Sequence, residues 1–511
     1  MERLTGLDGA FLSFESSTTH LHILGALVFD PSDVDGGVDF RRVRDMVASR
    51  LHLVPPFRKR LVEVPFGLQH PSMTDDPDLD IDYHVRRVAL PRPGGLDQLA
   101  DLVADIASRP LDRQRPLWEF HVVEGLARGQ LALVPKVHHS ILDGVSGAEV
   151  LAVFFDLSPD PAPRPLFGTT VASRRPGRLR GAPGSTIEAA PDPDPAASDP
   201  AWTPDPSPGE VERWREVFGS LPAQADALVR TVARTMRTAR GLSGRNRDVA
   251  GDLPPSPFEA PATSINRAIS PHRRVAFTEL PMSEVRRVRE ILGGTTNDVV
   301  LTVAGGAMRR FFAARGEELG QSLVALVPVS VRDESERSAL GNRISAMLVS
   351  LSTQVEDDGA RLRQIRKEVH AAKDQSRIVG SDVFDGWAQA AVPVVATRLS
   401  KLASNLRLFD HVPPIFNLIV SNVPGPDFPL YLAGARLVSM YPVGPIIEGA
   451  GINITVFSYM DTVYVGVQGC WDLVPDIGTI TRGVNESLGA LVGATNRLLR
   501  PVPWWHGEVP A

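Results

Sequence analysis

The ten residues His138–Gly147, with the sequence HHSILDGVSG, form the most informative pattern of this chain. Two adjacent histidines are followed by Asp143 and Gly144. An imidazole can accept and return a proton near neutral pH, because its unperturbed pKa is about 6.5. A nearby carboxylate can fix the tautomer of a histidine or the loop that carries it. The segment therefore predicts either a catalytic loop or a structural cluster of histidines.

The flanking residues place this segment between a strand and a helix. The apolar run Leu131–Val137 predicts a strand, and Ser146 with Glu149 has the spacing of a capping box for the next helix. Gly144 would relieve the backbone where the chain turns. Catalytic side chains concentrate on loops held by rigid elements, so this position favours a functional site.

Three kinds of chemistry could use such a loop. A metal site is disfavoured, because neighbouring histidines diverge and no further cluster of ligands stands out. A serine hydrolase is disfavoured, because residues 144–148 (GVSGA) depart from the Gly-x-Ser-x-Gly elbow at the last position. General-base catalysis remains, in which an imidazole deprotonates a hydroxyl that attacks an activated carbonyl. A purely structural role for the histidines also stays open.

Length and composition predict a globular protein of two halves. The 511 residues exceed what one hydrophobic core usually organises, and the proportions of hydrophobic and charged residues are ordinary. The net charge of -6 gives no support for nucleic-acid binding. Cys470 is the single cysteine, which excludes a disulfide within the chain. Without a signal sequence or a membrane-spanning apolar run, we expect a cytoplasmic protein with at most peripheral membrane contact.

Apolar runs and composition divide the chain into segments. We expect an N-terminal subdomain at 1–160, a disordered Pro-rich linker at 161–206, linker helices at 207–262 and a C-terminal subdomain at 263–511. A basic amphipathic helix after Pro222 could pack on the protein or lie on an anionic membrane. Hydrophobic periodicity predicts strands at Leu21–Phe29, Arg274–Leu280, Leu323–Val331, Ile344–Leu351, Ile415–Val420, Ile452–Tyr459 and Val463–Gly469, and helices at Val43–Leu51 and Val299–Arg315, the latter capped by Thr296 or Asn297.

The pattern His-His-x-x-x-Asp-Gly after a short strand resembles the signature of the CoA-dependent acyltransferase superfamily. Further motifs narrow the resemblance to the bacterial wax ester synthase/acyl-CoA:diacylglycerol acyltransferase family, and together they span nearly the whole chain apart from the Pro-rich linker. These motifs are Leu4–Leu12 (LTGLDGAFL), Arg115–Trp118 (RPLW), Asn297–Leu301 (NDVVL), Val327–Arg332 (VPVSVR), Gly341-Asn342, Ser421–Pro426 (SNVPGP) and Leu430–Ala435 (LYLAGA).

The resemblance implies an α/β (α+β) fold: two chloramphenicol-acetyltransferase-like subdomains with mixed sheets and an active-site tunnel at their interface. It implies that His139 is the general base toward an alcohol that attacks the acyl-CoA thioester, without an acyl-enzyme. His138, Asp143 and Gly144 complete the catalytic loop, with His138 as a support. Asp143 is expected to pair with an arginine of the other half, for which Arg332 is the candidate. We expect no metal and no bound cofactor, with acyl-CoA as co-substrate.

The other motif residues each have a functional and an ordinary interpretation. Asn297 and Asp298 could shape the site, or they could only cap a helix. Pro116, Leu117 and Trp118 could line the substrate tunnel, or they could belong to the core. Ser421 and Asn422 lie in a predicted turn at Ser421–Pro426, which could approach the substrate or be merely a tight loop.

The resemblance implies a long-chain acyl-CoA-dependent O-acyltransferase. A composition with Arg in place of Lys and rich in Ala, Gly and Pro indicates a GC-rich bacterial genome. Family members from such bacteria look more like triacylglycerol synthases than wax synthases, so the resemblance implies diacylglycerol as acceptor, with long-chain alcohols as further acceptors. The expected partners are these lipids and a membrane or lipid-droplet surface. The alternatives are wax ester synthesis as the main activity, acyl transfer or condensation from a carrier protein, and a non-catalytic lipid-binding protein. No carrier or adenylation domain adjoins the motifs in this sequence, which disfavours the second.

Overall fold

The computed structural model describes residues 2–4, 6–63, 70–141, 153–160, 255, 259–330, 344–379, 407–411 and 413–499. The helices of these segments are α1 Gly6–Phe14, α2 Phe40–Arg50, α3 Ile81–His84, α4 Leu96–Ala107, α5 Met282–Leu292, α6 Thr296–Ala314, α7 Asp358–Val379 and α8 Gly478–Leu499. The strands are β1 Glu2–Arg3, β2 His22–Asp30, β3 Lys59–Val62, β4 Ser72–Asp75, β5 Val85–Ala89, β6 Trp118–Glu124, β7 Leu131–His138, β8 Arg273–Pro281, β9 Val324–Ser330, β10 Ile344–Ser350, β11 Leu418–Val423, β12 Tyr431–Leu432, β13 Ala435–Val443, β14 Ile452–Tyr459 and β15 Thr462–Cys470.

The first large sheet has the strand order β12-β13-β2-β7-β6-β5. Its strands pair in antiparallel fashion except β5 and β6, which are parallel. All eight residues of β7 are buried, including Lys136. The ammonium group of Lys136 donates to the carbonyl oxygens of Ile106 (3.1 Å) and Arg109 (2.5 Å) at the end of α4. These bonds satisfy a buried cation and orient α4 against β7.

The second large sheet has the order β10-β9-β11-β14-β15-β8. The central strand β11 runs parallel to both β9 and β14, and the other pairs are antiparallel. Helices α6 and α8 pack tightly, because a Cβ atom added to Gly483 of α8 would lie 2.9 Å from the Cα atom of Ala307 in α6. Together with the sheet they enclose a second hydrophobic core, separate from the core of the first sheet.

The second half of the chain contributes two strands to the first sheet. Strands β12 and β13 belong to the second half of the sequence, yet they complete the first sheet, where β13 pairs with β2. The two sheets also approach closely where β15 meets β13: a Cβ atom added to Gly466 would lie 1.7 Å from the carbonyl oxygen of Pro442. The mixed α/β architecture with two sheet-containing halves confirms the predicted fold class. The subdomain boundaries stay predictions.

The predicted strands and helices that lie within the described residues agree with the structure, with two differences. The strand predicted at Ile415–Val420 is β11, Leu418–Val423, so the predicted turn at Ser421–Pro426 was wrong in its first three residues. The predicted cap of α6, Thr296 or Asn297, was wrong by one or two residues, because Thr295 is the N-cap. The segment Val43–Leu51, predicted as part of a helix, lies in α2 up to Arg50, and Asp39 caps this helix.

Some predictions concern residues outside the described ones. They include the linker at 161–206, the part of 207–262 that precedes residue 255, and the helix after the histidine loop.

Candidate active site

The two adjacent histidines lie where β7 ends. His138 is the last residue of β7, and His139 begins a short 3₁₀ helix, His139–Ile141. The backbone N–H of His138 donates to the carbonyl of Leu117 (3.0 Å), and that of His139 donates to the carbonyl of Leu21 (3.0 Å). Segments on both sides of β7 therefore hold the backbone of the pair, which gives the two side chains defined directions.

The ring of His138 is turned into the protein and is 1% exposed. Its Nδ1 atom accepts the backbone N–H of Ser140 at 3.0 Å, and the hydroxyl of Ser140 lies 2.7 Å from the same atom. Because Nδ1 accepts, a neutral His138 carries its proton on Nε2. Nε2 lies 3.2 Å from Oε1 of Glu15. Both nitrogens of His138 therefore face protein groups.

The ring of His139 differs from that of His138 in its exposure and in its neighbours. It is partly exposed, and its centroid lies 5.0 Å from that of the Phe11 ring in α1. Burial, together with the neighbouring His138, lowers the pKa of His139 from 6.5 to about 4. At neutral pH the imidazole is therefore uncharged and can accept a proton.

A buried group of polar side chains surrounds His138, and sequence reasoning missed it. The rings of His20 and His22 stack at 5.6 Å, and His22 meets His138 edge-on at 5.7 Å. Glu15 contacts both His22 and His138, and Arg113 donates to Glu15 at 2.8 Å. Burial lowers the pKa of His20 to about 4 and that of His22 to about 3. A detectable signal was the alternation of His20 and His22 at the start of an otherwise apolar strand.

Contacts between the two halves lie beside this group. Arg273 of β8 is 3% exposed; its side chain donates to the carbonyl of Thr18, and its backbone N–H donates to the hydroxyl of Ser108 (2.9 Å). The hydroxyl of Thr18 donates to Glu448 at 2.5 Å, and Glu448 also accepts the backbone N–H of Ile269 (3.1 Å). The segment before β2 is thus bonded to the second half of the chain at two places.

Several predicted site residues lie outside the described residues. They are Asp143 and Gly144 of the loop and Arg332, the candidate partner of Asp143. Their roles stay predictions.

The Pro116–Trp118 motif lies directly beneath the histidines. Leu117 is 1% exposed, and its carbonyl accepts the N–H of His138. Trp118 is fully buried; its indole N–H donates to the carbonyl of Phe57 at 2.8 Å, and its ring stacks on those of Phe57 (4.9 Å) and His84 (4.5 Å). The packing of Trp118 is that of a core aromatic, the ordinary interpretation of this motif. The tunnel role of these residues stays a prediction.

The remaining predicted residues lie in the second half. Ser421 and Asn422 are partly exposed positions on β11. Asp298 is the third residue of a capping box, because its carboxylate accepts from the backbone N–H (2.8 Å) and the hydroxyl (2.9 Å) of Thr295. Asn297 is partly exposed in the first turn of α6. Capping therefore accounts for Asp298, while a role of Asn297, Ser421 or Asn422 in the site stays a prediction.

Within the described part of the chain, no group of three or more His, Cys, Asp or Glu side chains has an arrangement that could hold a metal ion. In the same residues, no helix combines the length and apolar character needed to cross a bilayer.

Two family models match most of the sequence. Residues 4–300 match the wax ester synthase/diacylglycerol acyltransferase catalytic domain, and residues 340–492 match the WS/DGAT C-terminal domain. Two similar proteins of Mycobacterium tuberculosis bear the name diacylglycerol O-acyltransferase. Rv1760 is 36% identical over 96% of this chain and 90% of its own length, and Rv3087 is 34% identical over 93% and 95%.

Solved structures show the same relationship. The wax ester synthase/diacylglycerol acyltransferase from Marinobacter aquaeolei VT8 superposes with a TM-score of 0.66 at 27% identity, covering 97% of this chain and all of that one. The first condensation domain of the calcium-dependent antibiotic synthetase shares the fold, with a TM-score of 0.52 at 15% identity over 96% of both chains. The chain belongs to the wax ester synthase/diacylglycerol acyltransferase family and is an acyltransferase.

Proposed function

We propose that this acyltransferase moves a long-chain acyl group from acyl-CoA to the free hydroxyl of diacylglycerol, and to long-chain alcohols as secondary acceptors, with His139 as general base. The observation that carries the proposal is the difference between the two histidines. His138 is buried with both ring nitrogens facing protein groups, whereas His139 is partly exposed and uncharged at neutral pH. Only His139 is therefore available to a substrate hydroxyl.

The reaction needs no reagent beyond its two substrates. The imidazole of His139 accepts the hydroxyl proton while the hydroxyl oxygen attacks the thioester carbon. The resulting tetrahedral oxyanion collapses with cleavage of the carbon–sulfur bond, which forms the ester and releases CoA as a thiolate. The imidazolium then returns its proton to the sulfur. Because a thiolate is a good leaving group, an acyl-enzyme intermediate is not required.

The rest of the loop completes the proposed site. Asp143 and Gly144 would hold the backbone that follows His139, with Asp143 paired to Arg332 of the second half. Such a charge pair requires an N–O separation of roughly 4 Å. Pro116, Leu117, Asn297, Ser421 and Asn422 are proposed to shape the substrate path. In this proposal His139 takes the proton, and the other residues orient it.

The names of the relatives favour diacylglycerol as acceptor. Two M. tuberculosis proteins that match over most of their length are named diacylglycerol O-acyltransferases. Because both substrates carry long acyl chains, we propose that the protein works at a membrane or lipid-droplet surface to which it binds peripherally.

The function is tested by following free CoA thiol. Purified protein is incubated with palmitoyl-CoA and vesicles that contain diolein, hexadecanol or neither, and lipid products are separated and quantified. We expect thiol release that depends on the acceptor, together with triacylglycerol formation faster than wax ester formation. Faster wax ester formation would make alcohols the main acceptor. If thiol release in the presence of diolein and in the presence of hexadecanol stays at the level of heat-denatured protein, these two lipids are not acceptors and the proposed reaction is overturned.

A further inference from the structure

Three side chains, two imidazoles and one guanidinium, converge on the carboxylate of Glu15 beside the histidine pair. Oε1 of Glu15 lies 3.2 Å from Nε2 of His138 and 3.4 Å from Nε2 of His22. The other oxygen, Oε2, accepts from Arg113 at 2.8 Å, and the same guanidinium also donates to the carbonyl of Leu12 (2.8 Å). Glu15 is thus held at the end of α1 with one oxygen directed at the imidazoles.

The converging atoms depend on each other. Oε1 of Glu15 and Nε2 of both histidines are buried, and within the described part of the chain none of the three has a partner with hydrogen-bond geometry, so their contacts at 3.2 and 3.4 Å are electrostatic. Buried polar atoms without hydrogen-bond partners are costly, and the attraction between the carboxylate and a proton on Nε2 of His138 offsets part of that cost.

The electrostatics agree with a charged carboxylate at this position. Burial by itself would raise the pKa of Glu15, but its contacts with His138 and His22 lower it below the ordinary range. The charge is balanced by Arg113, while burial keeps His22 neutral at pH 7. Glu15 therefore remains an acceptor throughout the pH range in which an imidazole base works.

Resting on the function proposed above, we infer that Glu15 is a positioning residue for acyl transfer, because its carboxylate holds His138 as the Nε2–H tautomer and thereby fixes the loop. With the proton on Nε2, Nδ1 of His138 is free to accept the N–H of Ser140. Ser140 directly follows His139, so this bond sets the backbone from which the proposed base projects. Glu15 touches no substrate; it acts through His138.

Three single variants separate this role from general stabilisation. Glu15→Ala removes both acceptors. Glu15→Gln keeps the shape but offers one acceptor where two are needed, since Oε1 faces imidazoles and Oε2 faces Arg113. Glu63→Ala is the matched control, because the exposed Glu63 also lies near Arg113, at 3.7 Å, and is placed in no contact with the histidines.

Kinetics give the first readout. We expect kcat with palmitoyl-CoA and diolein to fall roughly 10- to 100-fold in Glu15→Ala and less in Glu15→Gln, with KM for either substrate little changed. Glu63→Ala should match the wild type. In a His138→Gln background, Glu15→Ala should have an effect of no more than about twofold, because both residues act through one contact. Equal effects of Glu15→Ala in both backgrounds would overturn the inference.

The second readout does not depend on activity. Proteins labelled with ¹⁵N-histidine report each tautomer by NMR, and the signals of His138 are assigned as those lost in His138→Gln. We expect the Nε2–H tautomer in the wild type and a mixture of tautomers in Glu15→Ala or Glu15→Gln. An unchanged tautomer in both variants would overturn the inference even if the wild type transferred no acyl group. Wild-type inactivity together with the expected tautomer shift would instead reject only the proposed function.

Discussion

The junction of the two large sheets gives a quantitative test in Gly466→Ala. The added Cβ atom would lie 1.7 Å from the carbonyl oxygen of Pro442, whereas ordinary contacts begin at 3.4 Å, so the two strands must separate by about 1.7 Å locally. The obstacle is backbone in β13, which is itself paired to β2. Overpacking of this kind costs roughly 1–3 kcal/mol, and a backbone obstacle favours the upper end.

The measurement is thermal unfolding followed by circular dichroism, with Gly489→Ala as the control. Gly489 lies in α8 with open space around its Cα, so alanine there should stabilise the protein by about 0.5–1 kcal/mol through its helix propensity. We expect Gly466→Ala to melt several degrees below the wild type and Gly489→Ala at or above it. If both variants melted alike, β13 and β15 would not pack as described, and the reasoning would be refuted.

Three further predictions concern the site. The acid limb of kcat/KM should have a midpoint near pH 4 and not near 6.5, because the lowered pKa of His139 keeps the base uncharged down to that range; a midpoint near 6.5 in a stopped assay would contradict this. Mass spectrometry of protein incubated with palmitoyl-CoA alone should show unmodified chains, and a stable palmitoyl adduct that diolein discharges would refute direct transfer. Trp118→Phe should lower the free energy of unfolding by about 1–3 kcal/mol, because it leaves the buried carbonyl of Phe57 without its indole donor; an unchanged denaturation midpoint would refute this.

Local sequence patterns predicted much of the fold. The apolar runs that became β2, β7, β8, β9, β10, β14 and β15 were placed to within one or two residues, because a buried strand imposes its composition on its own segment. The cap of α6 was misplaced because Thr295, Thr296, Asn297 and Asp298 are all good capping residues. The hydrogen bonds that the carboxylate of Asp298 accepts from Thr295 make Thr295 the N-cap, and these bonds form only in the folded turn.

Long-range pairing set the limit of prediction. Nothing within Ala435–Val443 indicates that this strand leaves its own half to pair with β2, since strand partners are chosen by the whole sheet. The histidine motif likewise identified His138 and His139 but not Glu15 or His22. These two residues are distant from the motif in sequence, and the pairing of β2 with β7 brings them close to His138. A sequence motif consists of residues that are close in sequence, whereas the side chains that contact His138 come from a distant segment of the chain.

The central claim is that His139, and not His138, takes the proton of the acceptor. Its most direct test is single-turnover transfer from palmitoyl-CoA to diolein by His139→Ala and by His138→Gln, each shown to be folded by circular dichroism. The account predicts that His139→Ala lowers the rate of transfer by roughly 10²- to 10⁴-fold and His138→Gln by clearly less. Transfer by folded His139→Ala at the wild-type rate would contradict it.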